Sequence, residues 1–506
     1  MKKNYSLFLS FLLFCVFSQK LFGLDVSGNV DTNAAWGPEQ VNVTGDLIIS
    51  ASVTIAAGTR IVAADHVKIT VNAAGSILAQ GVTGNEIVFT AANPSVGWGG
   101  IFFDSSAGDD ALSLFEYTRF EYGKADGTNG DGVEETSGGA LYLNYHSNVV
   151  FRNCTFENNE AISYGGAINS AYSQLVLENC VFISNLTAGF DGGGAIHIVN
   201  SEGYELKIEN CSFYNNIAHT GGAIHAEFAG GLTVSGSVFA NNESNYGSAV
   251  TISQSSSNNI SFISNTFVNN LANNSSAAVI NVSSYTENIF FANNIFYGNE
   301  NSSGSAAAID FGNDPFAPVF RNCLIEGDLA SVTGLPLDYS WIEMVDGNPE
   351  FEAPSGGTGH SVDGSTANWQ LSAQSPCINS GTESVSGLDL PLTDLAGNDR
   401  IQQGRIDKGA LESAFVPTAI VGRLFDEDFK IWYRPDAGQI VVRTDNKTRF
   451  SGILYNLTGA LEVDKRSGNY QNQMTFSTSG LRNGIYVVTI FGQNGKVLAI
   501  SKIVLN

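Results

Sequence analysis

Apolar and polar residues alternate with a period of two in short runs along most of the 506-residue chain, and helical spacing is absent. This period is typical of strands that bury one face. One recurring motif combines two small residues, an alanine and an aliphatic residue, and its third positions follow one another at intervals of 26 to 30 residues. Its copies, degraded toward the end, are Gly138–Leu141, Gly165–Ile168, Gly193–Ile196, Gly221–Ile224, Gly247–Val250, Ala277–Ile280 and Ala306–Ile309.

A second motif reads apolar-x-apolar-x-Asn-Cys-x-Phe-x-x-Asn and alternates with the first. Its best copies are Val149–Asn159, Leu175–Asn185 and Leu206–Asn216, and weaker copies are centred on Phe120, Phe239, Phe267, Phe296 and Ile325. The period is too short for a propeller blade of about 40 residues, so the repeats predict a solenoid of roughly eleven rungs, each paired in parallel with the next.

The second motif also predicts which side chains stack from rung to rung. We expect the phenylalanines (Phe156, Phe182 and Phe213 in the best copies) and the cysteines before them to face the core. The alternation breaks at asparagines, a residue type that tolerates left-handed backbone at a bend. We therefore expect an asparagine ladder at these bends, formed by Asn153, Asn179, Asn210, Asn293 and Asn322.

These repeats resemble the pectin-lyase-like β-helix superfamily, and the Gly-Gly-Ala-Ile and Phe-x-x-Asn motifs look like those of polymorphic outer-membrane proteins. The resemblance implies a right-handed parallel β-helix solenoid. Short alternating strands with glycine turns in the last 80 or so residues predict a small C-terminal β-sandwich, so the expected fold class is all-β. The resemblance is specific for the fold and weak for activity, because the superfamily contains lyases, hydrolases, adhesins and inert stalks.

Two blocks follow the repeats. Residues 347–413 resemble the Q type of choice-of-anchor β-helix proteins, in which this block closes the C-terminal end of the helix. Residues 425–506 resemble a type IX secretion C-terminal sorting domain, through the motif Leu481-x-x-Gly484-x-Tyr486, although Arg434-Pro435 replaces the usual Asn-Pro. The expected organisation is a signal peptide at 1–23, the β-helix at 24–346, the cap at 347–413, a linker at 414–424 and the sorting sandwich at 425–506.

The beginning of the chain and its composition predict a secreted protein on the outer cell surface. Met1-Lys2-Lys3 precedes an apolar run that is too short to span a bilayer, as in a secretory signal peptide, and no later segment is apolar enough for a transmembrane span. The formal charge of −25 argues against nucleic acid and favours cations or neutral glycans as ligands. Type IX machinery is the expected partner of the C-terminal domain.

The outward positions of the first motif predict a ligand-binding stripe on one sheet. The stripe residues are Tyr142, Asn169, His197, His225, Thr251, Asn281 and Asp310. Such aromatic and amide columns can match the repeat of a polysaccharide or a host or neighbour-cell surface glycan. His197 and His225 could bind a metal or act as acid and base, but stacked outward histidines are more often simply solvated.

One acidic loop is a candidate Ca²⁺ site, with Asp126, Asn129, Asp131 and Glu134 as oxygen ligands. Its spacing departs from the EF-hand loop, so a plain acidic turn is the alternative, and no other cofactor is expected.

The sequence predicts a non-catalytic adhesin or glycan-contacting rod, without catalytic residues. A lyase would need a base near clustered acids, and the bases between residues 100 and 330 are scattered: Arg119, Lys124, Arg152, Lys207 and Arg321. A polysaccharide lyase or glycoside hydrolase that uses the stripe, and a structural spacer without a ligand, remain the alternatives.

Overall fold

The computed structural model describes residues 23–105, 111–128, 130, 132–145, 148–199, 203–204, 206–227, 231–253, 259–283, 288–312, 316–382, 387–401, 405–413, 429–434, 438–456, 461–465, 471–482, 484–492 and 497–505. The predicted signal peptide lies outside these ranges except for Gly23, and the predicted linker lies outside them entirely. Strands dominate the described residues, with one short helix, Val133–Thr136, and one 3₁₀ turn, Asp328–Ser331.

The first part of the chain is a parallel β-helix whose rungs each contribute to three faces. Face A carries the phenylalanines, in strands Arg60–Ala63, Ile87–Ala91, Thr118–Glu121, Thr155–Glu157, Val181–Ile183, Ser212–Tyr214, Val238–Ala240, Thr266–Val268, Ile295–Tyr297 and Leu324–Ile325. Face B follows the glycine motif, in strands Ile69–Asn72, Ile101–Asp104, Leu141–Asn144, Ile168–Ala171, Ile196–Val199, Ile224–Glu227, Val250–Ser253, Ile280–Ser283, Ile309–Asp310 and Val332–Thr333. Leu24–Val30 and Gln40–Ile49 run through both faces in the first two rungs.

Face C is a separate sheet of twelve described parallel strands. They are Ala34–Trp36, Ser52–Ile55, Ser76–Gln80, Ser113–Glu116, Val149–Arg152, Leu175–Glu178, Leu206–Glu209, Leu232–Ser235, Ile260–Ile263, Ile289–Ala292, Val319–Arg321 and Ser340–Ile342. Two short ladders lie in the turns between faces A and B, in strands Lys124–Ala125, Glu160–Ala161 and Leu186–Thr187, and Glu243–Ser244, Leu271–Ala272 and Glu300–Asn301. The twelve strands of face C therefore indicate about one rung more than the eleven that the repeat period predicts.

The core consists of side-chain columns that run from rung to rung. Phe156, Phe182 and Phe213 are fully buried and stack with ring centroids 4.7 and 4.8 Å apart. The column extends from Phe120 to Phe296 with the same geometry. This spacing equals the distance between hydrogen-bonded strands, so the rings stack without distorting the backbone. The predicted phenylalanine core is confirmed.

The cysteine column is buried as expected, and its members are free thiols. Its side chains also accept hydrogen bonds from the backbone of the preceding rung: Cys211 Sγ from Cys180 N, Ser237 Oγ from Cys211 N, and Asn265 Oδ1 from Ser237 N. Cysteine, serine and asparagine therefore share one column because each is small and offers an acceptor.

The predicted asparagine ladder forms at a different position. Asn153, Asn179, Asn210, Asn293 and Asn322 do have left-handed backbone, with φ between 49° and 56°. The ladder instead uses the last asparagine of the motif: Asn185 Nδ2 donates to Asn216 Oδ1 (2.9 Å), and Asn216 Nδ2 donates to Asn242 Oδ1 (2.9 Å). The same pattern runs through Asn159, Asn185, Asn216, Asn242, Asn270 and Asn299.

Residues 347–413, the lateral segment, do not close the end of the helix as expected. They lie along face A, where Trp369 and Ala410 pack against Val238, Ala240 and Val268. The antiparallel pair Phe351–Ala353 and Asn368–Leu371 belongs to this segment. Instead, the last rung places Trp341 against Phe320 at the end of the core.

Bend asparagines on both sides of face A bind the lateral segment. Asn210 Nδ2 donates to Thr393 O, Asn241 Nδ2 to Gly357 O and Asn269 Nδ2 to Ser355 Oγ. Lys408 Nζ donates to Asn322 O (2.6 Å). The bends thus attach this segment to the rod instead of bonding to one another.

Acidic groups inside the lateral segment bind backbone N–H groups. Asp394 accepts from Glu412 N, and Asp407 accepts from Asn379 N and Ser413 N. Arg400 and Glu412 form a buried ion pair at 3.6 Å. Burial raises the pKa of Glu412, and the Arg400 guanidinium opposes this rise by stabilising the ionised carboxylate. These contacts give the clustered acids a structural role.

The C-terminal residues form the predicted small β-sandwich. One antiparallel sheet contains Phe429–Arg434, Gln439–Thr448 and Gln471–Ser477, and the other contains Leu461–Lys465, Phe450–Asn456, Gly484–Gly492 and Val497–Leu505. Side chains of both sheets share one core, including Ile440, Phe476, Leu454 and Val488. The Tyr486 hydroxyl donates to Arg482 O (2.8 Å), which fixes the turn before its strand.

Replacing Phe182 with Ala should destabilise the β-helix by about 3–5 kcal/mol, because the cavity lies between two stacked rings that the rungs hold in place. Urea unfolding followed by circular dichroism measures this loss. Val181→Ala, at the half-buried outward position of the same strand, is the control. Equal effects of the two variants would contradict the continuous core.

Replacing Arg400 with Met should loosen the lateral segment, because Glu412 and Asp394 would remain buried without their cation, at a cost of about 3–5 kcal/mol. Limited proteolysis should then cut within residues 347–413 while the β-helix melts as before. Lys207→Met removes an ion pair to Asp389, whose side chain is 60% exposed, and should leave the digestion unchanged. Identical digestion of R400M and the wild type would refute this anchoring.

Candidate functional site

The predicted stripe forms one column on face B. Tyr142 pairs in register with Asn169, Asn169 with His197, and His197 with His225. The column continues through Thr251, Asn281 and Asp310. Face B places these residues together because each follows the glycine motif at the same distance.

Most of the stripe is buried, so the expectation of simply solvated histidines is wrong. His197 is 2% exposed and His225 is 9% exposed, and Asn169 and Thr251 are also buried. Only Asn281 and Asp310 are half-buried. The stripe is therefore a buried column, and together with the turns beside it we call it the face B groove, with the column as its floor.

Turns that precede the face B strands cover the histidines. The Tyr164 ring stacks on the His197 ring, with centroids 4.5 Å apart. The backbone at Gly192 lies so close to Nδ1 of His225 that a side chain there would overlap the ring. The repeated glycines thus let these turns pack closely over the floor.

The two histidines make different contacts. His197 Nδ1 donates to Asn169 Oδ1 (2.8 Å), and its Nε2 faces Glu227 Oε2 at 3.8 Å, beyond hydrogen-bonding distance. His225 Nε2 lies 3.1 Å from Ser253 Oγ. Burial lowers the pKa of both rings, that of His225 to about 3, so both are neutral at pH 7.

The structure adds three residues to the site: Tyr164, Asp191 and Glu227. Glu227 follows His225 by two positions and so forms a second outward column, which the alternation alone could have revealed. Burial and the charges of Asp191 and Glu227 raise the pKa of Tyr164, and both carboxylates also act electrostatically on His197. The pKa of Glu227 is lowered by its interaction with His197, which keeps this carboxylate ionised.

Exposed aromatic rings lie on both sides of the floor. Tyr145 and Tyr172 directly follow face B strands and stack with centroids 4.4 Å apart. On the opposite side, Phe190 packs against His219, and His219 against Tyr246. Phe190 is 87% exposed. Solvent-facing aromatic surface of this kind usually marks an interaction site.

An insertion covers the end of the groove near Tyr142. The helix Val133–Thr136 lies in it, and Lys68 Nζ contacts Glu134 O and the Glu135 carboxylate. Lys68 also lies over the ring of Phe102, the neighbour of Tyr142 in the column.

The candidate Ca²⁺ loop is part of this insertion, and its Asn129 and Asp131 lie outside the described residues. Asp126 Oδ1 accepts from Thr128 N (3.0 Å), while Glu134 lies in the short helix. Among the described residues, no group of three or more His, Cys, Asp or Glu is placed to hold a metal ion.

The candidate lyase bases do not lie on the floor of the groove. Arg119 is on face A, while Arg152, Lys207 and Arg321 are on face C. Four of the five bases pair with acids: Arg119 with Glu157, Lys124 with Glu160, Arg152 with Glu178 and Lys207 with Glu209. Face B thus combines aromatic rings and carboxylates.

Comparison with known proteins supports the fold class. A family model described as a right-handed beta helix region matches residues 68–267, which contain most of the groove. This match and the parallel sheets together show a right-handed parallel β-helix fold. No curated protein matches it. None of the described helices has the length and apolar character to cross a membrane.

The pKa of His225 gives the stability of the groove a definite pH dependence. The ring titrates near 6.5 when unfolded and near 3 when folded, so the unfolded chain binds an extra proton between these values and stability falls as the pH decreases. Between pH 7 and pH 4, the free energy of unfolding should therefore fall by about 3 kcal/mol less in His225→Gln than in the wild type.

Urea unfolding at pH 7, 5.5 and 4 measures this difference. His219→Gln, a histidine on the wall of the groove, is the control. Parallel pH profiles of H225Q and the wild type would refute the buried neutral ring.

Proposed function

We propose that this protein is a secreted cell-surface rod that binds a polysaccharide in the face B groove without cleaving it. The arrangement of the groove carries the proposal: a buried polar floor lies between two rows of exposed aromatic rings. Aromatic walls with a few placed polar groups are typical of ligand sites, and rings stack on the apolar faces of sugars.

The ionisation of the groove favours binding over hydrolysis. A glycoside hydrolase needs one carboxylic acid with a raised pKa beside a second carboxylate. The pKa of Glu227 is lowered, so Glu227 is a poor proton donor. His225, with a pKa of about 3, is also a weak base at neutral pH.

The lyase alternative is disfavoured by the position of the bases. Lyase chemistry needs Arg or Lys beside the uronate, and Arg152 and Lys207 lie on face C in ion pairs with Glu178 and Glu209. Calcium binding by Asp126, Asn129, Asp131 and Glu134 stays a prediction.

Export to the cell surface is the second part of the proposal. It is supported by the signal-peptide pattern at residues 1–23 and by the Leu481–Tyr486 motif in the C-terminal sandwich. The resemblance to sorting domains implies transport by type IX machinery, removal of this domain, and attachment to surface lipopolysaccharide or release. The glycan ligand would then belong to a polysaccharide outside the cell or to a neighbouring cell.

Glycan-array binding, with parallel turnover assays on uronate polymers with and without Ca²⁺, tests this function. We expect binding without product formation. Tyr172→Ala should weaken glycan binding about tenfold, because it removes one of the two stacked rings, Tyr145 and Tyr172, on which a sugar would pack. Phe290→Ala, at a half-buried outward position of face C, is the matched control.

Two outcomes would contradict this function. One is product formation that His197→Ala abolishes. The other is binding that Y172A and F290A reduce equally.

A further inference from the structure

The carboxylates of the groove differ from those on the other faces in lacking a cationic partner. On faces A and C, Glu157 pairs with Arg119 at 2.7 Å, and Glu178 pairs with Arg152 at 2.7 Å. Within the part of the chain that the structure describes, neither Asp191 nor Glu227 pairs with a lysine or arginine. Among the described residues, the titratable group within 4 Å of the Glu227 carboxylate is His197 Nε2, at 3.8 Å. The His197 ring is neutral at pH 7 because burial lowers its pKa.

A buried hydrogen-bond acceptor, Nε2 of His197, faces the Glu227 carboxylate. Because His197 Nδ1 donates to Asn169 Oδ1, a neutral ring carries its lone pair on Nε2. This atom is buried, faces Glu227 and makes no hydrogen bond with the described residues. Leaving a buried polar atom unpaired costs about 1–3 kcal/mol, which a bound donor would recover.

We propose that the groove at Asp191, Glu227 and His197 binds the primary ammonium group of an amino sugar in a polysaccharide. An ammonium group has three N–H donors and a positive charge. The Glu227 carboxylate and the Nε2 lone pair of His197 are two acceptors 3.8 Å apart, and Asp191 adds a second negative charge near His197. Hydrogen bonds between charged partners are stronger than those between neutral ones. The Tyr164 ring, stacked on His197, adds an aromatic face toward which a cation is attracted.

This inference rests on the proposed glycan-binding function and narrows it. A uronate would bring its carboxylate close to Glu227 and Asp191, and the like charges would repel one another. N-acetylation would remove the positive charge and one or more donors. The groove should therefore distinguish free amino sugars from their acetylated counterparts.

Isothermal titration of the full chain tests this with three probes: glucosamine oligosaccharides, the same oligosaccharides fully N-acetylated, and spermidine. We expect the glucosamine oligosaccharides to bind at least about tenfold more tightly than the acetylated ones, with an affinity that falls as salt is added. Glu227→Gln and Asp191→Asn should each reduce this preference. Glu178→Gln on face C should preserve it, and melting curves verify that all variants fold.

Each outcome has a distinct consequence. Equal binding of both oligosaccharides, or a preference unchanged in E227Q and D191N, overturns the ammonium site and leaves the proposed glycan function standing. Binding of spermidine as tight as that of the oligosaccharides overturns the sugar part of the inference. Failure of both oligosaccharides to bind overturns the inference and counts against the proposed function.

Discussion

The strand spacing of the parallel β-helix is the constraint on which the remaining structure depends. Hydrogen-bonded rungs lie about 4.8 Å apart, and every column of side chains must accept that distance. Planar rings accept it, and Phe213 and Phe239 stack at 4.6 Å, nearly parallel. The amides of Asn185 and Asn216 accept it through hydrogen bonds. Loop residues outside the hydrogen-bonded ladders are free of this constraint, so the lengths of the loops vary while the columns remain aligned.

The same constraint explains how much of the fold the sequence could predict. Columns repeat, so the positions of Phe156, Phe182 and Phe213 were predictable from spacing alone. The position of the asparagine ladder was not, because two different environments favour asparagine. Asn179 adopts a left-handed bend, while Asn185 is buried and donates along the rod. Sequence spacing identifies both columns without showing which amide points inward.

The lateral segment was placed wrongly because its partners lie far away in the chain, as when Arg400 bonds Asn210. One signal was nevertheless present in the sequence. Outward residues of face A change from Thr155 and Glu157 in an earlier rung to Val238 and Ala240 where the segment lies. Apolar residues on both sides of a strand indicate that both sides are covered. Reading outward columns separately would have predicted a cover along the side of the rod.

In the groove, the strands align the floor residues, and the turns determine how far these residues are covered. Strand periodicity aligned His197 with His225, but the burial of these rings depends on Tyr164 and Gly192, which belong to turns. Asp191 is also a turn residue and takes no part in any column. In a solenoid, the strands thus supply a regular floor, and the irregular turns decide what that floor can bind. Ligand specificity in such a protein can therefore change through turn residues such as Asp191 while the stacked core stays the same.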